Sequence, residues 1–221
     1  MIERGFSISE YVLPPSECDG LLDALSAEDV SRSRAGIRNL MSNSAVSDLA
    51  NDTRLIELTR SLTGKPLIPF KATLFEKTDD ANWLVPFHQD TALPLEHAVE
   101  ADGWGPSSVK EGVTFVHAPT WALQKILALR IHLDASTSLN GPLRVIPGSH
   151  HKRLRDDAEF QKQIENGSHI ECTVGKGGVI AMRPLLLHAS SKCVNDEPRR
   201  VLHIEYAESM ELADNIRLSV A

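Results

Sequence analysis

The chain has 221 residues, 42% of them hydrophobic, and a formal net charge of −7. That is enough apolar content for an ordinary core, and the negative balance argues against nucleic acid or an anionic membrane as the main partner. Cys18, Cys172 and Cys193 are odd in number without C-x-x-C spacing, and no long apolar stretch marks a leader or anchor. A disulfide framework, a zinc knuckle and a membrane span are therefore not expected, whereas a reducing cytoplasm is.

Taken in chain order, the first third reads as helical. "PPSECDGLLDALS" offers Ser16 as an N-cap with Asp19 three residues on, and Leu21, Leu22 and Leu25 on one face. "DTRLIELTRSLTGKP" spaces Leu55, Leu58 and Leu62 at i, i+3 and i+7 and stops at Gly64 and Pro66. From residue 67 the period changes. "PLIPFKATLFEKT", "KILALRIHLDAS", "GPLRVIPGSH", "SHIECTV", "GGVIAMRPLLLHAS" and "RRVLHIEYAE" are short, rich in Leu, Ile and Val, and bounded by turn residues, as strands are. "DDAEFQKQIENG" is a short helix ending at Gly167, and the basic "HHKRLR" at 150–155 is a solvated loop. Residues 91–124 lack clear periodicity and hold Trp104 and Trp121. They are either an active-site lid or a surface insertion with its own small cluster. The expectation is one domain over 1–221, mainly β with flanking helices (α+β). It has a helical preface over 1–64 and, over 65–210, a β-sandwich or barrel with helices packed outside.

Two patterns carry chemistry. In "FHQDTALPL", His88 and Asp90 stand two apart. In an extended strand this spacing puts an imidazole and a carboxylate on one side and turns Gln89 away. The candidate third ligand is His188, which ends the apolar run of "MRPLLLHASS"; a core histidine satisfied by backbone carbonyls is the other reading. Two neutral histidines and one carboxylate leave three positions of an octahedral ion open, a set that suits Fe(II) with a bidentate co-substrate and dioxygen. Eleven residues later Arg199 opens "RRVLHIEY". Its guanidinium fork suits the far carboxylate of a small diacid, and Arg200, on the opposite face, is a surface charge.

The H-x-D pair, "NGPLRVIPGSH" at 140–150, and "RPLLLHAS" with an arginine eleven positions on resemble the phytanoyl-CoA dioxygenase family of Fe(II)/2-oxoglutarate oxygenases. The resemblance spans roughly residues 65–207. It implies a double-stranded β-helix, a jelly-roll or cupin-like barrel with the metal between its two sheets. It also implies iron on His88, Asp90 and His188, and 2-oxoglutarate on Arg199 assisted by Ser190, with Thr73 and Lys77 nearby. Arg130 stands where many relatives have a tryptophan near 2-oxoglutarate, and adds a cation for either the co-substrate or an acidic substrate.

The implied reaction couples oxidative decarboxylation of 2-oxoglutarate to succinate with C–H hydroxylation of a small polar or anionic metabolite, using dioxygen. Asp90 favours hydroxylation, because halogenases of this architecture replace the carboxylate with a small residue; desaturation and ring closure stay open. Further candidates for touching substrate are Trp104, His117, Arg144 as a second inward cation, and His132 on the face of Arg130. His132 is a hydrogen-bonded wall residue or a catalytic one. His203 should face inward, His150 should brace a turn, and His151, His97 and His169 should be exposed. Two alternatives remain. One is a cupin-like isomerase or co-substrate-independent dioxygenase, which would give Arg199 no duty. The other is a non-catalytic metabolite-binding protein on the same scaffold. The sequence names neither the substrate nor the oligomeric state.

Overall fold

Successive side chains of an extended strand point to opposite faces, and this sorts the long strands into an apolar side and a polar one. The computed structural model describes residues 1, 3–27, 36–77 and 82–221. In it, β13 (Arg199–Ala207) lies inside a six-stranded antiparallel sheet. The order is β1 (Phe6–Ser9), β11 (Val179–Met182), β8 (Ile126–His132), β13, β3 (Ile68–Lys77) and β2 (Gly36–Ile37). Register places His203 level with Arg130 and Thr73, and Arg199 level with Lys77.

A four-stranded antiparallel sheet, β10 (Ile170–Cys172), β9 (Leu143–Val145), β12 (His188–Ser190) and β4 (Val85–His88), faces the first. Phe6, Ala128, Ile180 and Met182 of one sheet form a buried cluster with Leu143, Val145 and Cys172 of the other. This is the layout of the expected double-stranded β-helix, mainly β with helices outside, although the strands stay in separate sheets and do not close into one barrel.

Helices α1 (Pro15–Ala27), α2 (Ser44–Ala50) and α3 (Thr53–Thr63) cover the outer face of the large sheet. Leu21, Leu22, Leu25 and Leu55 bury themselves against Leu74, Leu129, Ile131, Leu202, Ile204 and Tyr206, with Leu58 and Leu62 at the margin. Gly64 ends α3 at φ 86°, donating its N–H to the Arg60 carbonyl at 2.8 Å, a conformation glycine adopts without strain. Helix α5 (Asp157–Asn166) runs from the Asp156 cap to Gly167, as the sequence predicts.

Three expectations need correction. Ser16 lies inside α1, because Pro15, which has no N–H to satisfy, already occupies the first helical turn. The preface also supplies β1 and β2 to the large sheet. "GGVIAMRPLLLHAS" is two strands in two sheets, broken by a turn at Pro184 and Leu185. Residues 91–124 fold into a small antiparallel sheet of β5 (Ala92–Leu95), β7 (Val113–His117) and β6 (Ser107–Lys110), followed by the short α4 (Thr120–Leu123). Leu93, Leu95, Val116 and Leu123 share a buried cluster with Phe70 and Leu218. The hairpin β14 (Glu211–Ala213) with β15 (Ile216–Arg217) completes the chain. Among the described residues, no helix is long and apolar enough to cross a membrane.

Candidate metal centre

The four-stranded sheet sets His88 opposite His188 in register. Pro184 accepts the Asp90 backbone N–H at 2.9 Å, fixing the turn that carries the carboxylate. Gln89 points the other way and works as a clamp. Its amide donates to the carbonyls of Leu185 (2.7 Å) and Lys152 (3.0 Å), and its carbonyl accepts the Leu154 N–H at 2.8 Å. The H-x-D segment is therefore tied to the turn leading into His188.

The ligand atoms of His88, Asp90 and His188 all lie within 4.8 Å of one another. His88 Nδ1 sits 2.9 Å from the Pro86 carbonyl, and His188 Nδ1 sits 2.9 Å from the Leu186 carbonyl. A carbonyl can only accept, so each Nδ1 carries the proton and each Nε2 offers a lone pair. Those Nε2 atoms lie 3.7 and 3.6 Å from the two Asp90 oxygens, too far for hydrogen bonds. Burial pushes His188 down to about 3, so its imidazole is neutral. Burial also opposes ionisation of Asp90, but attraction from neighbouring imidazoles, His188 first, which is protonated in the acid range where this carboxyl titrates, outweighs it and holds the carboxyl well below its ordinary range. Neutral imidazole nitrogens and one ionised carboxylate, spaced for an ion between them, fit a divalent metal.

A cavity of about 230 Å³ opens between the sheets beside this cluster. Its apolar wall is Phe75, Trp83, Val85, Leu143 and Ala189, and its polar wall adds Lys77, Arg130, Ser190 and Arg199 to the triad. Arg199 is only 3% exposed. Its Nη2 donates to Ser190 Oγ and its Nε to the Asn140 carbonyl, both at 3.2 Å, while Nη1 is buried with no hydrogen-bond partner among the described residues. Burial, then the charge of Arg130, pushes Arg199 down to about 10. Lys77 donates to the Ser191 carbonyl, and burial followed by the charge of Arg199 pushes it down to about 8.

The segment "NGPLRVIPGSH" positions both ends of the cavity. Gly141 accepts from Ser190 Oγ at 2.8 Å, and at φ 69° it runs so close to Ser191 that a Cβ would lie 2.3 Å from that carbonyl. Ser149 Oγ accepts the Leu187 N–H at 2.8 Å, fixing the residue before His188.

The structure thus brings together His88, Asp90, His188, Ser190, Arg199, Lys77 and Arg130. Thr73 is buried on the strand beside His203 and does not line the cavity. Trp104, His117, His132 and Arg144 also lie off its wall. Trp104 packs edge-on against Trp121 at 6.0 Å, and His117 Nδ1 lies 2.7 Å from Thr91 Oγ1. Arg144 faces outward over the Phe87 ring at 5.5 Å, because its neighbour Leu143 takes the inward position. His132 is fully buried, yet neither ring nitrogen has a hydrogen-bond partner among the described residues, which does not match the bonded wall residue expected. His203 faces inward, as expected, His150 is buried against Gly5, and His97, His151 and His169 are exposed. Arg200 is no simple surface charge; it forks onto Asp134 at 2.7 and 2.8 Å.

Sequence reasoning missed Phe75, Trp83 and Val85. Phe75 was accessible, since it shares a face with Thr73 and Lys77. Val85 was hidden by a bulge that pairs His88 with His188 but Val85 with Ser190, putting two residues of unlike parity on one wall.

A model of the phytanoyl-CoA dioxygenase family matches residues 2–201. An L-proline trans-4-hydroxylase from Streptomyces griseoviridis is 28% identical over 181 residues, 69% of this chain. The chain covers only 59% of the length of that curated relative. Among solved structures, the alpha-ketoglutarate-dependent carbocyclase SnoK of nogalamycin biosynthesis superposes with TM-score 0.71 at 15% identity, over 100% of this chain and 84% of its own. HygX from Streptomyces hygroscopicus, solved with nickel and 2-oxoglutarate and also with iron, gives TM-score 0.65 at 19% identity, over 93% of this chain and 84% of its own. These likenesses show a common fold.

Proposed function

The chain belongs to the phytanoyl-CoA dioxygenase family, and from that premise we propose that it is an Fe(II)- and 2-oxoglutarate-dependent dioxygenase that hydroxylates a small polar or anionic metabolite. One observation carries the reading: a single cavity has the His88, Asp90 and His188 ligand atoms on its wall together with the buried guanidinium of Arg199, whose Nη1 has no partner among the described residues. An isomerase barrel would have no use for that orphaned N–H. A diacid chelating the metal at one end satisfies it at the other.

His88 and His188 offer Nε2, with their tautomers set by the Pro86 and Leu186 carbonyls, and Asp90 offers an ionised oxygen. When bound, iron and 2-oxoglutarate supply dioxygen activation and C–H oxidation, with succinate and carbon dioxide as co-products. Arg199, held by Asn140 and Ser190, takes the far carboxylate of the co-substrate, and Lys77 adds a second donor at that end. Phe75, Trp83, Val85 and Leu143 keep water from the wall. Asp90 fills the third ligand position and favours hydroxylation. The carbocyclase activity in the name of SnoK indicates that ring closure is also compatible with this scaffold. The proline hydroxylase relative makes a free amino acid the first substrate class to try.

The test is anaerobic addition of Fe(II) and 2-oxoglutarate, read by the visible charge-transfer band of the chelate, followed by succinate release in air with candidate substrates. Arg199→Ala should abolish both signals and Arg200→Ala neither. Absence of the band from the wild-type protein would overturn the reading.

A further inference from the structure

Arg130 is the buried cation that this scheme leaves without work. It is 7% exposed, lies against the Phe75 ring at 5.4 Å, and has a buried Nε with no hydrogen-bond partner among the described residues. Its one hydrogen bond among the described residues runs from Nη1 to His203 Nδ1 at 3.2 Å. A guanidinium cannot accept, so Nδ1 is the acceptor and the His203 proton sits on Nε2. Nε2 faces Glu205 Oε1 at 3.4 Å, and Lys71 Nζ holds the same oxygen at 2.7 Å. Half-buried Lys71 with buried Glu205 and His203 forms a brace that fixes the guanidinium from behind and consumes none of its remaining donors.

Two further facts bear on where Arg130 acts. Its backbone is level with His203, four residues and roughly 13 Å along β13 from Arg199, although both side chains line one cavity and the charge of Arg130 reaches Arg199. It also lines the same cavity as Asp90 and feels its charge. In the proposed scheme both carboxylates of 2-oxoglutarate have partners, one the metal and the other Arg199. Among the described residues the wall offers three cations, Lys77, Arg130 and Arg199, against one lining carboxylate, Asp90. With a divalent metal and a dianionic co-substrate added, positive charge remains in excess, even if Lys77 is neutral. A buried guanidinium left unpaired is costly.

We infer that Arg130 is a second anion pole, distinct from Arg199, and that it selects substrates carrying a carboxylate by pairing with it beside the metal. The inference rests on the oxygenase reading above and extends it to the substrate class.

The experiment uses the full chain loaded anaerobically with Fe(II) and 2-oxoglutarate, whose visible band reports co-substrate binding without any substrate. Wild type, Arg130→Gln and Arg130→Lys are each titrated with free amino acids, L-proline first, and with the matching amides such as L-prolinamide. The shift of the band reads binding next to the metal. Acids should bind loaded wild type about 30-fold or more tightly than their amides, as for loss of a buried charge pair. Arg130→Gln should erase that preference, Arg130→Lys should restore part of it, and 2-oxoglutarate affinity should hold in all three. Three results overturn the inference alone: no acid outbinds its amide on wild type, the preference survives Arg130→Gln, or Arg130→Gln weakens 2-oxoglutarate as much as Arg199→Ala. A wild-type protein without the band overturns the oxygenase reading, and this inference with it.

Discussion

The two faces of the six-stranded sheet come from the same strands and meet opposite demands. On the outer face Leu202, Ile204 and Tyr206 are fully buried against the helices. On the inner face of the same strand stand Arg199, His203 and Glu205, joined by Arg130 and Lys77 from its neighbours. Burial favours the first set and disfavours the second. It drives Arg130 and Arg199 down to about 10 and Lys77 to about 8. Stability and ligand binding are thus divided by the parity of residues along one strand, with the outer face offsetting what the inner face costs.

Substitutions can test that division. The largest expected effect is on the outer face: Ile204→Ala should cost about 2–5 kcal/mol in urea unfolding. The protein that remains folded should bind 2-oxoglutarate with unchanged affinity. Next comes Arg199→Met on the inner face, which should weaken 2-oxoglutarate by about 30-fold or more in calorimetry. The melting temperature of the metal-free, co-substrate-free protein should hold or rise, because a buried unpaired cation is removed. A stability loss like that of Ile204→Ala would erase the contrast.

Lys77 makes the inner face sensitive to pH. Its charged form binds carboxylate, so 2-oxoglutarate affinity should be level below pH 8 and fall as pH rises through about 8. Lys77→Met should remove that step. The stability of the ligand-free protein should move the other way. Between about 8 and the ordinary lysine value of 10.5, the unfolded chain holds a proton that the folded chain has lost, so stability rises with pH across that window. The smallest effect is Tyr206→Phe, which removes the 3.0 Å bond to the Ala50 carbonyl and should cost about 1 kcal/mol in the same unfolding assay, leaving binding untouched.

The legible parts of this site were those whose chemistry is local. His88 and Asp90 are two apart, His188 ends an apolar run, and Arg199 follows at fixed spacing, so a linear pattern carries them. What hid the rest was tertiary. A bulge in β4 broke the alternation that would have flagged Val85. Arg144 was assigned inward because nothing in "PLRVIP" fixes parity until β9 pairs with β12. Residues 91–124 looked like a loop because strands of four or five residues with interior proline and serine, such as "ALPL" and "SSVK", carry too little periodicity. The helical preface was readable from its leucines, but its contribution of β1 and β2 was not, since those short strands exist only against β11 and β3.

Anomalous diffraction at the iron edge, from crystals grown anaerobically with Fe(II), addresses the central arrangement most directly. It should give one peak within bonding reach of His88 Nε2, His188 Nε2 and an Asp90 oxygen, and none in His188→Ala crystals. A peak elsewhere, or imidazoles and carboxylate turned apart with no cation bridging them, would contradict the account.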